Sequence, residues 1–400
     1  MSAAPVSGSA PETPLLFVIA GEPSGDAIGA RLMAALKAAS GGRVRFAGIG
    51  GERMAGEGLA SLFPMSDISL FGVAEIVPKV PLILRRIRET VAAIRAHRPA
   101  AVVSIDVPGF AFRVQERLRA GETRRIHCVA PTVWAYRPGR ARTIQRFLDH
   151  LLVLLPFEPP YFEAVGLPCT FIGHPVLEEG AEKGDGPRFR DRHGIAREAR
   201  VLAVLPGSRR GEVGRLLPIF GEAVAALALR FPDLRVVVPV VPVVEETVRR
   251  AVGGWPLAVT VVAQDEKYDA FAASDAALAA SGTVSLELAL AGVPMVIGYR
   301  INALTALWVR LLIRVKWVTL ANLILGRAAV PEFLQGRCRA RMLAEAVGAL
   351  LESEERRDAQ RRDLADAMAR LGVDGPPPSE RAAAAILDVI GMNERREAPA

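Results

Sequence analysis

Hydrophobic positions along this chain follow two alternating spacings. Short unbroken apolar runs, typical of buried strands, each lead into a turn rich in glycine or polar residues and then into apolar positions at helical spacing. In the first part of the chain the predicted strands are 15–20, 44–49, 101–105, 126–129, 151–154 and 170–172. In the second part they are 201–205, 234–239, 258–262, 276–280 and 295–299. Alternating strands and helices predict an α/β protein with two Rossmann-like parallel sheets.

The pattern is interrupted over 179–190, a segment rich in glycine and charge that is typical of a linker. We therefore expect a first domain over 14–178 and a second over 191–371. Two facing domains of this kind place the active site in the cleft between them. A Gly-Pro run and a final helix occupy 372–391. The polar ends, expected to be disordered tails, are 1–13 and 392–400.

Cysteine usage and the N-terminal sequence both bear on location. The three cysteines, at 128, 169 and 338, form no CxxC pair and have no histidines at metal-binding spacing. This favours a reducing compartment over a disulfide framework or a zinc site. The N-terminus lacks the basic region and the apolar core of a signal peptide, so a cytoplasmic protein is expected.

The charge balance indicates anionic partners. Fifty Lys and Arg residues against 43 Asp and Glu residues give a net charge of +7. No nucleic-acid-binding motif accompanies this charge, and four Tyr and four Trp residues offer few rings for stacking on bases. We therefore expect phosphorylated small molecules or anionic lipids as partners, and no nucleic acid.

The turn after the strand 276–280 is a candidate anion site. Ser281, Gly282 and Thr283 separate that strand from a predicted helix, and Glu287 falls in its first turn. Free N–H groups and the helix dipole would favour a phosphate there, with the Glu287 carboxylate placed to accept hydrogen bonds from a ribose. The same spacing equally fits an ordinary strand–helix turn in which Glu287 only stabilises the helix.

Other strand ends carry candidate chemistry. Arg209, Arg210 and Arg215 follow a strand and a glycine turn, where guanidinium groups could hold a diphosphate or simply form a solvated basic face. Asp106 ends a buried strand, where it could be a general base or a turn-forming residue. Glu22 is the competing acid, from the turn after the first strand.

Two apolar and basic stretches, 77–94 and 301–325, suggest contact with a membrane surface. Arg310, Arg314 and Lys316 interrupt the second stretch, and each cation would cost about 2.5–3.5 kcal/mol at the centre of a spanning helix. Interfacial helices fit better, and core helices with snorkelling cations are the alternative.

Seven segments together carry a family resemblance. They are AGEPSGD (20–26), IDVPGF (105–110), APTVWAYRPGR (130–140), LPFEPPYFEAVGLPCTFIGHPV (155–176), LPGSRRGEV (205–213), ASGTVSLELALAGVPMV (280–296) and TLANLILGR (319–327). In this order the chain resembles the lipid-A-disaccharide synthases, which are glycosyltransferases of the two-Rossmann GT-B architecture. The final helix is then expected to return to the first domain, as in other GT-B chains.

The resemblance also implies roles for particular residues. The expected catalytic residues are Asp106 and Glu22. The expected UDP-binding residues are Arg209, Ser281, Gly282, Thr283, Glu287, Asn322, Glu332 and Gln335. The acceptor-side candidates are Ser24, Asp26 and His174. Related sequences tend to read D-x-P-D-F-N where this chain has Gly109 and Ala111, so a second carboxylate beside Asp106 is missing.

By this resemblance the protein is an inverting glycosyltransferase. It would transfer 2,3-diacylglucosamine from UDP to the 6-hydroxyl of 2,3-diacylglucosamine 1-phosphate (lipid X), a step of lipid A synthesis in Gram-negative bacteria. No Asp-x-Asp motif offers a metal site for the diphosphate, so no metal or cofactor is expected, and arginine and a helix N-terminus would stabilise the leaving UDP.

The expected location follows from the same resemblance and from the charge. It is the inner face of the inner membrane, with peripheral contact to anionic lipid; an oligomer is compatible with the sequence.

Two other classes of function remain as alternatives. A UDP-sugar epimerase of the same fold would need no apolar acceptor surface, and a lipid-binding module would leave the nucleotide motifs without a role.

Overall fold

A computed structural model describes residues 13–69, 73–302 and 315–392. The chain divides into two compact units. The first runs to Pro175 and resumes at Pro376, and the second comprises Val176–Gly375. The polar tails before residue 13 and after residue 392 lie outside the described residues, as do residues 303–314 of the second stretch expected at a membrane.

Each unit contains a six-stranded parallel sheet. The strands of the first unit are β1 Leu15–Ala20, β2 Arg45–Ile49, β3 Ala101–Ile105, β4 Arg124–Cys128, β5 His150–Val153 and β6 Cys169–Phe171, in the order β2-β1-β3-β4-β5-β6. Those of the second are β7 Val201–Leu205, β8 Arg235–Pro239, β9 Val259–Val262, β10 Ala276–Ala279, β11 Met295–Tyr299 and β12 Glu332–Leu334, in the order β12-β11-β10-β7-β8-β9. The predicted fold class, with two Rossmann-like sheets, is confirmed.

The predicted strands are all present, with ends shifted by at most two residues. Their unbroken apolar runs have a clear cause, because both faces of a parallel sheet are covered by helices. All five residues of β3 and of β7 are buried. The strand β12 was not predicted, since its three residues are only partly buried and form no apolar run.

Helices cover both sheets. In the first part of the chain they are α1 Pro23–Ser40, α2 Glu52–Gly56, α3 Val73–His97, α4 Pro108–Gln115, α5 Arg140–Ile144 and α6 Pro159–Glu163. The second unit contains α7 Gly186–Arg192, α8 Arg210–Ala228, α9 Pro242–Val252, α10 Lys267–Ala272, α11 Val284–Leu290, α12 Leu320–Leu325, α13 Ala340–Glu352 and α14 Glu354–Leu371. The final helix, α15 Pro378–Val389, belongs to the first unit.

The first unit has hydrophobic clusters on the two faces of its sheet. On one face, Leu32 and Leu36 of α1 pack in a cluster that also contains Ile386 of α15. The chain therefore leaves this unit at Pro175 and returns to complete its core. On the other face, α3 contributes Ile83, Ile87, Val91 and Ile94 at helical spacing.

The second unit has a comparable core. Phe220 of α8 is fully buried and clusters with Leu343 of α13 and with side chains of the central strands. Residues 179–190, which the sequence pattern indicated as a linker, contain a 3₁₀ turn at Ala181–Lys183 and the start of α7. Asp185 caps α7 by accepting a hydrogen bond from the N–H of Arg188 at 2.9 Å.

One stretch expected at a membrane forms α3, which is 25 residues long and contains Pro78 and Pro81. Its buried face packs on the first sheet, while Val80 and Leu84 are 41% and 43% exposed. No helix in the described part of the chain is both long enough and apolar enough to cross a bilayer.

Candidate active site

The topology of the second sheet selects one place for a ligand. The strand β7 pairs with β8 on one side and with β10 on the other. The chain runs from β7 to β8 and β9, and then crosses back to form β10 on the other side of β7. In doubly wound sheets a crevice opens at such a switch point, beyond the carboxyl ends of the strands. Ala280 N–H donates to Leu205 C=O at 2.8 Å, which holds the two turns that follow side by side.

A cavity of about 380 Å³ lies at this switch point. It is lined by Leu205, Gly207, Ser208, Arg209, Glu212, Pro239, Val241, Gln264, Lys267, Ala280, Ser281, Gly282, Thr283, Val284 and Glu287. Five residues expected to bind UDP, namely Arg209, Ser281, Gly282, Thr283 and Glu287, are therefore brought together. Their role in binding stays a prediction.

Two helices begin at this cavity. Arg209 is the N-cap residue of α8 and Thr283 that of α11, and neither side chain caps its own helix. Positive helix ends and a guanidinium group then face one space, which suits a diphosphate. Gly207 has φ of +112°, and a Cβ there would collide with the Glu212 carboxylate, so this turn requires glycine.

Glu287 is buried in the first turn of α11 and pairs with Lys267. The Glu287 Oε2 atom lies 2.8 Å from the Lys267 Nζ atom, and the two side chains are only 11% and 14% exposed. Burial raises the pKa of Glu287, and the positive charge of Lys267 opposes that rise. The cavity thus contains one cation directly bound to the carboxylate expected to meet a ribose.

Asn322, Glu332 and Gln335 lie outside the cavity lining as the described residues define it. Asn322 Nδ2 donates to Glu332 Oε1 at 2.8 Å, and the Glu332 carboxylate accepts hydrogen bonds from the N–H groups of Val318 and Thr319 at 3.0 and 2.9 Å. These two side chains therefore brace the segment before α12. Ser281 Oγ donates to the carbonyl oxygen of Val318 at 3.4 Å, which links that segment to the cavity.

Sequence reasoning missed four polar side chains of the cavity, those of Ser208, Glu212, Gln264 and Lys267. A usable signal exists for two of them. Gln264 and Lys267 follow closely after β9, and the turns after parallel strands share one edge of the sheet. Glu212 has an additional local role, because its carboxylate accepts a hydrogen bond from the N–H of Ser208 at 3.2 Å.

The first sheet has its own switch point, between β1 and β3. The turn after β1 carries Glu22, the N-cap residue of α1, and the chain after β3 carries Asp106. The turns are in close contact, since a Cβ on Gly21 would lie 2.7 Å from a methyl carbon of Val107. Both acids expected to be catalytic therefore follow adjacent strands.

The backbone at Asp106 is strained. Asp106 and Val107 have φ of +53° and +48°, a region that a β-branched residue rarely adopts. Each such conformation costs on the order of 1–3 kcal/mol and recurs at functional sites. Burial of the Asp106 side chain raises the pKa of its carboxyl group. The ionised Asp106 carboxylate is therefore a stronger base than an ordinary aspartate.

The acceptor-side candidates differ in their surroundings. Ser24 is exposed in the first turn of α1. Burial lowers the pKa of His174 to about 4, so its imidazole is neutral at pH 7. Asp26 is buried and accepts hydrogen bonds from the N–H groups of Gly51, Arg53 and Met54 at 2.7, 3.0 and 3.1 Å. Since the N-cap residue of α2 is Gly51, Asp26 supplies the cap that this helix lacks.

A model of the lipid-A-disaccharide synthetase family matches residues 16–380. The chain belongs to this family. A lipid-A-disaccharide synthase from Rhodospirillum centenum is 59% identical over 94% of each chain. One from Paramagnetospirillum magneticum is 51% identical over 96% of this chain and 99% of the relative.

Solved structures resemble this family member in fold alone. MurG from Acinetobacter baumannii has a TM-score of 0.56 at 15% identity, covering 94% of this chain and 99% of MurG. A UDP-GlcNAc 2-epimerase from Neisseria meningitidis, solved bound to UDP-GlcNAc, has a TM-score of 0.59 at 10% identity over 94% and 99% of the chains. The same fold therefore occurs in enzymes of different activity, and the site must decide between them.

The Asp26 contacts generate a prediction about stability. Asp26→Ala should lower the free energy of unfolding by at least about 2 kcal/mol, because it leaves buried N–H groups of α2 without an acceptor. Urea unfolding followed by circular dichroism measures this. Glu57→Ala is the matched control: it removes the exposed ion pair to Lys37, 2.8 Å long, between the same two helices and should cost at most about 1 kcal/mol. Unchanged stability in Asp26→Ala, with a raised KM for the acceptor, would assign Asp26 to substrate binding instead.

Proposed function

We propose that this protein transfers 2,3-diacylglucosamine from UDP to the 6-hydroxyl of lipid X, which gives a β-1,6-linked disaccharide 1-phosphate and UDP. Family membership supplies the reaction. The observation that supports it in this chain is the cavity at the β7–β10 switch point, where a guanidinium group, two helix N-termini and a buried carboxylate converge.

The donor fits this cavity by its chemistry. The diphosphate is dianionic and suits Arg209 and the uncapped N-termini of α8 and α11, while a ribose can donate its hydroxyl hydrogens to the Glu287 carboxylate. The bond from the anomeric carbon to UDP breaks as negative charge develops on the β-phosphate. Fixed N–H groups and a guanidinium group stabilise that charge without reorganisation during the reaction.

The acceptor requires a base. Inversion in a single displacement means that the 6-hydroxyl oxygen attacks the anomeric carbon while losing its proton, and we assign that proton to Asp106. A positioned base contributes about 10²–10⁴-fold. The raised pKa of Asp106 suits this role, because a stronger base that is still ionised at neutral pH accepts the proton more readily.

Both substrates carry acyl chains, so the enzyme has to meet a membrane surface. We propose that the exposed stripe of α3 makes peripheral contact with the anionic inner face of the inner membrane. Val80 and Leu84 are exposed on this helix, next to the exposed cations Arg85 and Arg88. Apolar insertion and attraction to anionic headgroups would then act together.

One assay separates transfer from the epimerase alternative. The purified protein is incubated with UDP-2,3-diacylglucosamine, with and without lipid X, and UDP and the sugar products are quantified. Release of UDP only when lipid X is present, with a disaccharide product, is the expected result. An isomerised UDP-sugar in the absence of acceptor would identify an epimerase, and UDP release without a disaccharide would exclude transfer.

The proposed base gives a prediction on rate and pH. Asp106→Asn should lower kcat by about 10²–10⁴-fold with an unchanged Kd for UDP, because the amide cannot accept the proton. In the unmodified enzyme, kcat/KM should fall on acidification at a pH above the ordinary aspartate value of about 3.9, since the folded-state pKa is raised.

A stability measurement completes this test. Because the pKa of Asp106 is raised by folding, its ionisation opposes folding, and stability is lost as the pH rises through that pKa. Asp106→Asn should therefore be no less stable than the unmodified protein at pH 7. Near-normal turnover in Asp106→Asn, beside an inactive Glu22→Gln, would move the role of base to Glu22.

The membrane assignment is tested with vesicles that contain phosphatidylglycerol. The double change Val80→Ser and Leu84→Ser should weaken binding in a co-sedimentation assay, and added salt should weaken binding of the unmodified protein because screening removes the attraction to headgroups. Leu229→Ser is the matched control, since Leu229 is 89% exposed on the second unit. Equal losses for both variants would contradict a specific role for α3.

A further inference from the structure

The ion pair between Lys267 and Glu287 is the least expected feature of the cavity. Lys267 is the first residue of α10 and approaches from the turn after β9, whereas Glu287 belongs to α11 after β10. Two separate crossovers thus bring one ammonium group to 2.8 Å from one carboxylate oxygen, in a place where both side chains are almost shielded from water. A lysine side chain exposed to water would not need a carboxylate partner.

Negative charges outnumber positive charges around this ion pair. A second carboxylate, that of Glu179, also acts on Glu287 and opposes its ionisation. The hydroxyl group of Tyr268 donates to Glu179 Oε2 at 3.2 Å, and the Lys267 Nζ atom lies 4.6 Å from the centre of the Tyr268 ring. One cation therefore compensates for two nearby carboxylates.

Several other charged groups near α11 have partners of their own or face elsewhere in the cavity. Glu182 pairs with Lys183 at 4.0 Å, and Arg327 pairs with Asp363 of α14 at 2.7 Å. Arg209 and Glu212 line the opposite side of the switch point, on the turn after β7 and the start of α8. In the described part of the chain, Lys267 is the cation that pairs directly with Glu287.

We propose that Lys267 is a positioning residue for donor binding: it holds Glu287 as an oriented carboxylate by binding Oε2, and leaves Oε1 to accept hydrogen bonds from the ribose hydroxyls of UDP. This inference rests on the proposed function, since it concerns the same donor site. Lys267 acts through Glu287 and not on the nucleotide itself.

The physical reason is the cost of a buried charge. Burial disfavours an ionised carboxylate, and a nearby opposite charge restores it. Without Lys267, burial and Glu179 both act to raise the pKa of Glu287 further. A protonated carboxyl group carries an O–H donor and accepts hydrogen bonds from ribose hydroxyls less well than a carboxylate does. The Kd of UDP would therefore depend on pH.

The test measures the Kd of UDP by calorimetry from about pH 5.5 to about pH 8.5. Lys267→Met preserves the length of the side chain and removes its charge, and Lys267→Gln is a second variant in case the first is unstable. The quantity to compare is the ratio of variant Kd to unmodified Kd at each pH, in which the titration of the UDP phosphate itself, near pH 6, cancels.

For Lys267→Met, the ratio of variant Kd to unmodified Kd is expected to be small at high pH. It should grow as the pH falls, by up to about tenfold for each pH unit below the new pKa of Glu287.

Lys267→Arg should restore a nearly constant ratio. Glu287→Gln should raise Kd by a factor that does not change with pH, and adding Lys267→Met to it should produce no new pH dependence. Lys183→Met is the matched control, since that lysine side chain is 80% exposed, and its ratio should stay near one.

The outcomes distinguish this inference from the function on which it rests. If the unmodified protein binds UDP and the ratio for Lys267→Met and Lys267→Gln is large but constant with pH, Lys267 contacts the nucleotide directly and the inference is wrong. A ratio near one at every pH also overturns it. If the unmodified protein does not bind UDP, the proposed function fails as well.

Discussion

The parallel pairing of β7 with β10 is the constraint on which the candidate site depends. It aligns Ala279 with Leu205 and so brings the turns 206–209 and 280–283 to the same edge of the sheet. Each turn leads directly into a helix, so two positive helix ends face the same cavity. The two helix ends act together on an anion in this cavity, and Arg209 adds a full positive charge. The site is thus a property of strand order more than of any one motif.

The carboxylates of this protein show how packing assigns different tasks to similar residues. Asp26 and Glu158 are buried and each accepts three hydrogen bonds, Glu158 from the N–H groups of Leu154 and Leu155 and from Trp134 Nε1. Their acceptor capacity is used within the fold. Asp106 follows a strand in a strained backbone, and its pKa is raised by burial. Family motifs such as AGEPSGD and LPFEPP therefore include residues that hold turns together as well as residues suited to chemistry.

Glu287 lies between these two cases. It is buried nearly as deeply as Asp26, yet a single lysine is its charged partner instead of a set of N–H groups. Lys267 pairs with one oxygen of Glu287, which leaves the other oxygen for a ribose hydroxyl. A helix-capping carboxylate such as Asp26 has both oxygens occupied by N–H groups.

The sequence by itself determined the fold class, the positions of nearly all the strands and the family. Unbroken apolar runs such as Val201–Leu205 have one stable location, in a sheet covered on both faces, and turn residues such as Gly207 mark where the chain reverses. The sequence also indicated Arg209, Ser281, Gly282, Thr283 and Glu287, because each follows directly after a strand or begins a helix. Local spacing is sufficient for features of that kind.

Only the tertiary structure decided which of those ends meet and what surrounds each side chain. Strand order is not written in local spacing, so the presence of Lys267 beside Glu287, 20 positions away in the chain, could not be read from either segment. The three N–H groups that occupy Asp26 belong to a turn at least 25 positions further along the chain, and Asn322 pairs with Glu332 ten positions away across a turn. Burial raises the pKa of Asp106, and burial is a property of the whole packed unit. The sequence supplied the chemical groups, and packing determined their charge, partners and exposure.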